Sequence, residues 1–203
     1  MIYIILKKLF FILLFFISSF AHGNEGNINR IEVLVNEIAI TKYDIIQRLK
    51  INSILKRVEI NDDNFNQLYN VIMDDLIIEK LKINKIQEYK IEIDKDEFSQ
   101  HEIRFYSSLN YDKQTLEELF SLNNINFSYL NEFLEIDLKW QKLIYGLYLR
   151  VTSVTKNEIY DLINKNPDLN EESANDLILQ KQIDLKSIKL INDLRDEATI
   201  EYK

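Results

Sequence analysis

Between Phe65 and Ile91 apolar residues recur at helical intervals. Leu68, Ile72, Leu76 and Ile77 form one stripe, and Val71, Met73, Ile78 and Leu81 widen it over most of the circumference. A helix with so broad an apolar girth is predicted to be central, covered by neighbours on several sides. Asp62 or Asp63 is placed to cap its start, where a side-chain oxygen accepts backbone N–H groups that the helix leaves unpaired.

Ahead of this helix, two short β-type runs, Ile31–Val35 and Ile38–Ile40, flank Asn36-Glu37 and predict a hairpin with a two-residue turn. Thr41, with Asp44 three residues on, opens a helix as a capping box, and Ile45, Ile46, Leu49, Leu55 and Val58 supply its buried side. Polar Asn61–Asn64 leads into the central helix. Beyond Ile91 the amphipathic segments are shorter. Asp94 and Glu97 have capping-box spacing ahead of Phe98, Phe105 and Leu109, and Asp112 or Thr115 starts a helix burying Leu116, Leu119 and Phe120.

After the loop Asn123–Asn126, Ser128 is expected to cap a long helix. In it Leu130, Phe133, Leu134, Trp140, Leu143, Ile144, Leu147 and Val151 keep helical period. Thr155 and Glu158 cap a short helix carrying Ile159, Leu162 and Ile163. Asn164–Glu172 has no apolar period and holds the single proline, so residues 165–173 read as a linker. One more amphipathic helix follows, with Leu179, Ile183, Leu190, Ile191 and Leu194 on a common side, and Ala198–Lys203 alternates like a short strand. A lone strand is not stable, and the other strands belong to the N-terminal hairpin. The expected fold is therefore mainly α, several helices with a small N-terminal hairpin that a C-terminal strand joins in an antiparallel sheet.

Composition narrows this further. Three glycines and one proline in 203 residues disfavour sandwiches, barrels and nucleotide-binding α/β folds, which need turn residues repeatedly. With no cysteine there is neither a disulfide framework nor a thiolate metal site. Lys7 and Lys8 precede the apolar run Leu9–Ile17, which is short for a membrane span and suits a secretory signal peptide over residues 1–23. Ala21 and Gly23 are small residues where a signal peptidase reads, predicting cleavage before Asn24. Cleavage after Ala21 and an uncleaved membrane anchor are the alternatives. Removing the segment takes two of the 25 basic residues, leaving 23 against 33 acidic ones. That balance repels nucleic acid. The expected mature protein, residues 24–203, is an exported acidic domain with no stable membrane insertion.

The order of elements resembles a known family. The hairpin Val33-Leu-Val-Asn-Glu-Ile-Ala-Ile-Thr41, Asp44 opening a helix, the run Val71–Leu81, Ile91–Asp94 and Asn126–Phe133 together look like the N-terminal chaperone domain of the SurA-type periplasmic chaperones. The resemblance covers residues 31–164. The tail Lys186–Tyr202 looks like the C-terminal segment that completes the same module, so residues 174–203 would finish one chaperone domain spanning 24–203. Family members usually carry parvulin prolyl-isomerase domains between these parts. Here only the linker separates them, and with two histidines in all, one of them His22, no parvulin site is assembled. The resemblance thus implies a periplasmic, ATP-independent holdase of unfolded outer-membrane polypeptides without isomerase activity. Its partners would extend to the outer-membrane assembly machinery.

No residue set argues for an enzyme, a cofactor or a metal. His101 lacks a second histidine at ligand spacing and is expected to be an ordinary, partly exposed side chain. The adjacent acids Asp74-Asp75, Glu117-Glu118 and Glu171-Glu172 diverge by about 100° on a helix and read as solvated faces. There is no nucleophile with a base at hand and no glycine-rich phosphate loop. The positive feature is aromatic surplus: Tyr106, Tyr129, Tyr145 and Tyr148 fall off the main stripes and are the candidates for a client-binding groove, the alternative for each being core or incidental surface. A structural or adaptor protein of the same fold, binding one folded envelope partner, is the rival reading. An isomerase of another type is a third.

Overall fold

Val33 and Val35 are β-branched, wholly buried, and alternate with wetter neighbours, which is what a strand with one covered face requires. A computed structural model describes residues 28–203; the segment 1–23 read as a signal, its cleavage site and His22 lie outside the described residues. Strand β1 (Ile31–Val35) runs antiparallel to β2 (Ile38–Thr41), with Val35 opposite Ile38 and an irregularity between Ile31 and Val33. Asn36 and Glu37 between them have φ of 46° and 72°, the left-handed pair that a two-residue hairpin turn demands.

The far end of the chain completes this sheet. Strand β3 (Ile200–Tyr202) pairs antiparallel with β1 on its free side, giving the order β2-β1-β3 with Val33 opposite Tyr202 and Val35 opposite Ile200. Two more backbone bonds bracket the pairing: Asn36 N–H donates to the Thr199 carbonyl at 3.0 Å and Lys203 N–H to that of Glu32 at 2.9 Å. The expected meeting of hairpin and tail is observed.

Among the described residues there are seven α-helices: α1 (Lys42–Lys56), α2 (Asp62–Glu88), α3 (Lys95–Ser108), α4 (Lys113–Leu122), α5 (Ser128–Tyr148), α6 (Lys156–Lys165) and α7 (Glu171–Glu197). Reciprocal capping boxes at Thr41/Asp44, Asp94/Glu97 and Thr155/Glu158 start α1, α3 and α6. Two expected caps lie elsewhere. Asn61, not Asp62 or Asp63, caps α2, its side chain accepting from Asp63 and Asn64 while Asn64 returns the bond; the two aspartates occupy the first turn, where the helix dipole favours them. Ser128 does not cap α5; its N–H donates to the Asn126 side chain at 2.9 Å.

Three apolar clusters follow one another through the molecule. The first joins the sheet to α1 and α2 through Val33, Val35, Ile40, Ile45 and Leu76, with Leu194 and Ile200 from the chain's end packed on it. The second gathers Ile51, Tyr106, Leu116, Phe120, Leu130 and Leu134 from α1, α3, α4 and α5. The third sets Ile86 of α2, Trp140, Leu143 and Ile144 of α5 and Ile183 of α7 together. Helix α2 thus serves two clusters, which explains its girth. Val71 is nevertheless 49% exposed, Val58 lies past the left-handed Arg57 that ends α1, and Val151, in a 3₁₀ turn after α5, is 68% exposed. Helical period continues in the sequence at Val58 and Val151 after the α-helix has stopped. Residues 166–170, within the stretch read as a linker, connect α6 to Asn170-capped α7.

Candidate functional site

Helices α1, α2, α3 and α5 diverge around a cleft of about 360 Å³. Leu55, Ile78, Phe105, Leu109, Phe133 and Ile136 form its apolar walls, while Arg48, Lys56, Asp75, Glu79, Lys82 and Asp137 supply charge. On α2 the charged members recur at 75, 79 and 82, one face of the helix, so each turn contributes one to the cleft.

At the base Arg48 Nη2 meets Glu79 Oε2 at 2.7 Å, with only 13% and 10% of the two side chains exposed. The Arg48 guanidinium also lies 5.0 Å over the Phe133 ring, a stacked geometry that suits its flat, weakly hydrated cation. Lys82 has no carboxylate within ion-pair distance among the described residues; it sits 5.6 Å over the Trp140 ring. Burial holds its ammonium below the ordinary lysine range, and Asp137, Glu79 and Asp75 pull in the other direction. Asp75 reaches solvent at the mouth, yet crowding around its carboxyl raises its pKa, against the pull of Lys56, Arg48 and Lys82. Asp75 is exposed, as the acid pair predicts, and also borders the cleft. Its neighbour Asp74 is exposed as well and pairs with Arg195 of α7 at 3.0 Å.

The far rim carries the one described histidine. His101 is buried, 7% exposed, rather than partly exposed as its sequence setting suggests, because α3 lies along α5 and turns it inward. Its Nε2 is 3.3 Å from Asp137 Oδ2, but the approach does not make a hydrogen bond and leaves that nitrogen without a partner. Asp137 accepts instead from Gln141 at 2.7 Å. Lys142 and Glu97, paired at 2.8 Å, add a second tie between α3 and α5.

Beyond the Arg48–Glu79 pair a smaller cavity of about 140 Å³ opens toward Gln47, Lys80, Tyr129 and Glu132; Arg48, Glu79 and Ile136 border both spaces. A third, of about 350 Å³, lies between α5 and α7 at Trp140, Tyr145 and Gln180 and shares Asp137 with the main cleft.

The four tyrosines are not gathered: Tyr106 is on α3, and Tyr129, Tyr145 and Tyr148 are spread along α5. Tyr106 is 6% exposed in the second cluster, donating its hydroxyl to Glu102 at 3.0 Å; burial and that carboxylate push its pKa up. Tyr129 packs edge-on to Tyr43 at 6.3 Å and lines the smaller cavity, its pKa pushed up to about 12, chiefly by burial. Tyr145 is 37% exposed, its hydroxyl donating to Gln180, and Tyr148 lies under Lys186 at 5.7 Å. Tyr129 and Tyr145 are about 24 Å apart along the helix axis. The charged residues of the main cleft were not singled out from the sequence. The signal was present: Asp75, Glu79 and Lys82 interrupt a helix otherwise apolar on most sides.

Among the described residues no group of three His, Cys, Asp or Glu is arranged to hold a metal, and no helix is long and apolar enough to cross a membrane. Fold and cleft together define a helical protein, closed by a small sheet, that presents an apolar-walled, charge-floored recess. No family model matches the chain, and no curated protein matches it. Among solved structures it is similar to one described with the virulence factor PEB4 and the periplasmic protein Cj1289, two structurally related SurA-like chaperones of Campylobacter jejuni. The likeness has a TM-score of 0.39 at 19% identity; it covers 69% of this chain and 51%, about half, of the other.

Proposed function

We propose that the protein is a periplasmic, ATP-independent holdase that keeps unfolded outer-membrane polypeptides from aggregating, with residues 24–203 acting as one module and without prolyl-isomerase activity. The observation that carries this reading is the cleft itself, where Leu55, Ile78, Phe105, Leu109, Phe133 and Ile136 remain uncovered by any segment of the described chain. A recess of about 360 Å³ takes one or two bulky side chains of an extended segment, and burial of apolar area there supplies affinity at about 25 cal/mol per Å². So shallow a grip is weak at each site, which suits a client that must be handed on. Tyr129 and Tyr145, at the two neighbouring cavities, extend the contact along α5 with Tyr148 beside them, while Tyr106 serves the core. The acidic surface keeps the loaded complex soluble. The order of elements shared with SurA-type chaperones supports the same reading.

The test is the aggregation of a urea-denatured outer-membrane β-barrel protein diluted into buffer with an equimolar amount of the purified protein. Light scattering is expected to rise more slowly, and Ile78→Asp with Leu109→Asp, which place charge on the cleft walls, is expected to abolish the delay while the helical circular-dichroism spectrum persists. A protein that leaves scattering unchanged, or cleft variants that protect as well as the original, would overturn the proposal.

A further inference from the structure

Helix α7 carries two apolar stripes, one on each side. Leu179, Ile183, Leu190 and Leu194 pack into the molecule. On the opposite side Leu177, Leu185 and Ile188 are 53%, 57% and 55% exposed. With 100° per residue, these three and Lys181 fall within an arc of about 80°. Single exposed aliphatics need no explanation, but three in line on one helix do.

The charges beside the stripe say what fits it. The chain as a whole is acidic, 33 acids against 25 basic residues, but within this stripe one acid, Asp184, stands with one base, Lys181, both exposed. Their order is self-complementary. Laid antiparallel on a copy of itself about a point between Gln182 and Ile183, the helix sets Leu177 against Ile188 and Lys181 against Asp184. Each pairing occurs twice by symmetry. A register centred on Leu185 would instead oppose Lys181 to Lys189. Asp184 now accepts from Gln180 at 2.8 Å, an exposed contact that exchanges at little cost.

We infer that α7 is a self-association surface whose occupant is a second copy of this chain, docked antiparallel through Leu177, Leu185 and Ile188 and held in register by Lys181 and the partner's Asp184. Three half-exposed aliphatics on each copy keep the contact below the roughly 1,200 Å² of a stable interface, so the dimer is weak and forms at high concentration. The surface is separate from the cleft, and its test does not depend on client binding.

Sedimentation velocity of the purified protein up to about 1 mM is expected to show the average mass rising from monomer toward dimer. Leu185→Glu with Ile188→Glu is expected to abolish the rise. Lys181→Asp or Asp184→Lys alone, each opposing like charges twice, is expected to raise the dimer Kd several-fold, roughly up to tenfold. The two together restore the opposite-charge pairs and the original Kd. Thermal unfolding of each variant reads out any loss of fold, and the charge variants test the register even where the double glutamate unfolds. Three results would each overturn the inference: a monomer throughout, association indifferent to the stripe, or a double charge reversal that fails to recover. Stripe variants that stay monomeric like the original but lose aggregation protection would assign the face to clients instead.

Discussion

Arg48 and Glu79, 31 residues apart in sequence, meet at 2.7 Å at the base of the cleft, the guanidinium capped on its other side by Phe133. The pair ties α1 to α2 and separates the main cleft from the smaller cavity beside Tyr129. Removing one partner leaves a charge in a place with little water. Glu79→Leu or Arg48→Met is therefore expected to destabilise the fold by about 3 kcal/mol, whereas the two together recover most of the loss. Urea unfolding of the two single variants and the double variant measures this, and a double variant no better than the singles contradicts it.

The closing of the sheet by β3 predicts a second effect. Without residues 199–203, Val33 and Val35 lose their neighbour, and the bracketing bonds to Asn36 and Glu32 disappear. Truncation after Ala198 is expected to lower stability by about 3 kcal/mol or more, from exposed apolar area and lost backbone pairing. The urea midpoint is the measurement; an unchanged midpoint would show the strand to be ornamental.

The hairpin turn predicts a gain. Glu37 holds φ at 72°, a conformation in which a side chain is strained and glycine is at ease. Glu37→Gly is expected to stabilise by about 0.5–1 kcal/mol, seen as a rise in Tm of roughly 1–4 °C for a chain of this size. Asn36, although also at positive φ, is expected to resist the same change, because its side-chain oxygen accepts from Thr199 N–H at 2.9 Å and so helps seat β3.

Asp75 gives the protein a pH signature. Its carboxyl is raised in the folded state, mainly by burial, so the native form holds a proton that the unfolded chain releases. The stability this provides is full below the unfolded value of about 3.9 and is lost as pH rises through the folded value. At pH 7 the ionised group is a liability. Asp75→Asn is thus expected to be more stable than the original at pH 7, with the difference shrinking toward pH 4. Unfolding curves at the two pH values decide it, and a gain that is equal or larger at pH 4 refutes this account.

Much of the architecture is legible locally. The caps at Thr41, Asp94 and Thr155, the turn at Asn36-Glu37 and the inward stripe of α7 are each written within a few residues, because the interactions that set them are themselves local. The β3–β1 pairing was also within reach, since an alternating tail has few places to go. What depends on distant neighbours was not. The burial of His101 is decided by α5, that of Tyr106 by α4 and α5, and the cleft by charges on α1 and α2 whose meeting no spacing along one helix reveals. The second stripe of α7 went unread for a related reason: a helix apolar on two sides looks, in sequence, merely well buried.

Because Val33 waits for Tyr202, the first strand among the described residues is satisfied only by the last. During synthesis the hairpin stands with an open edge until β3 is made, a template for any extended segment nearby. Closing it demands a very long loop, the slow kind of folding step. The newborn chain thus carries an unprotected edge until residues 200–202 have been made.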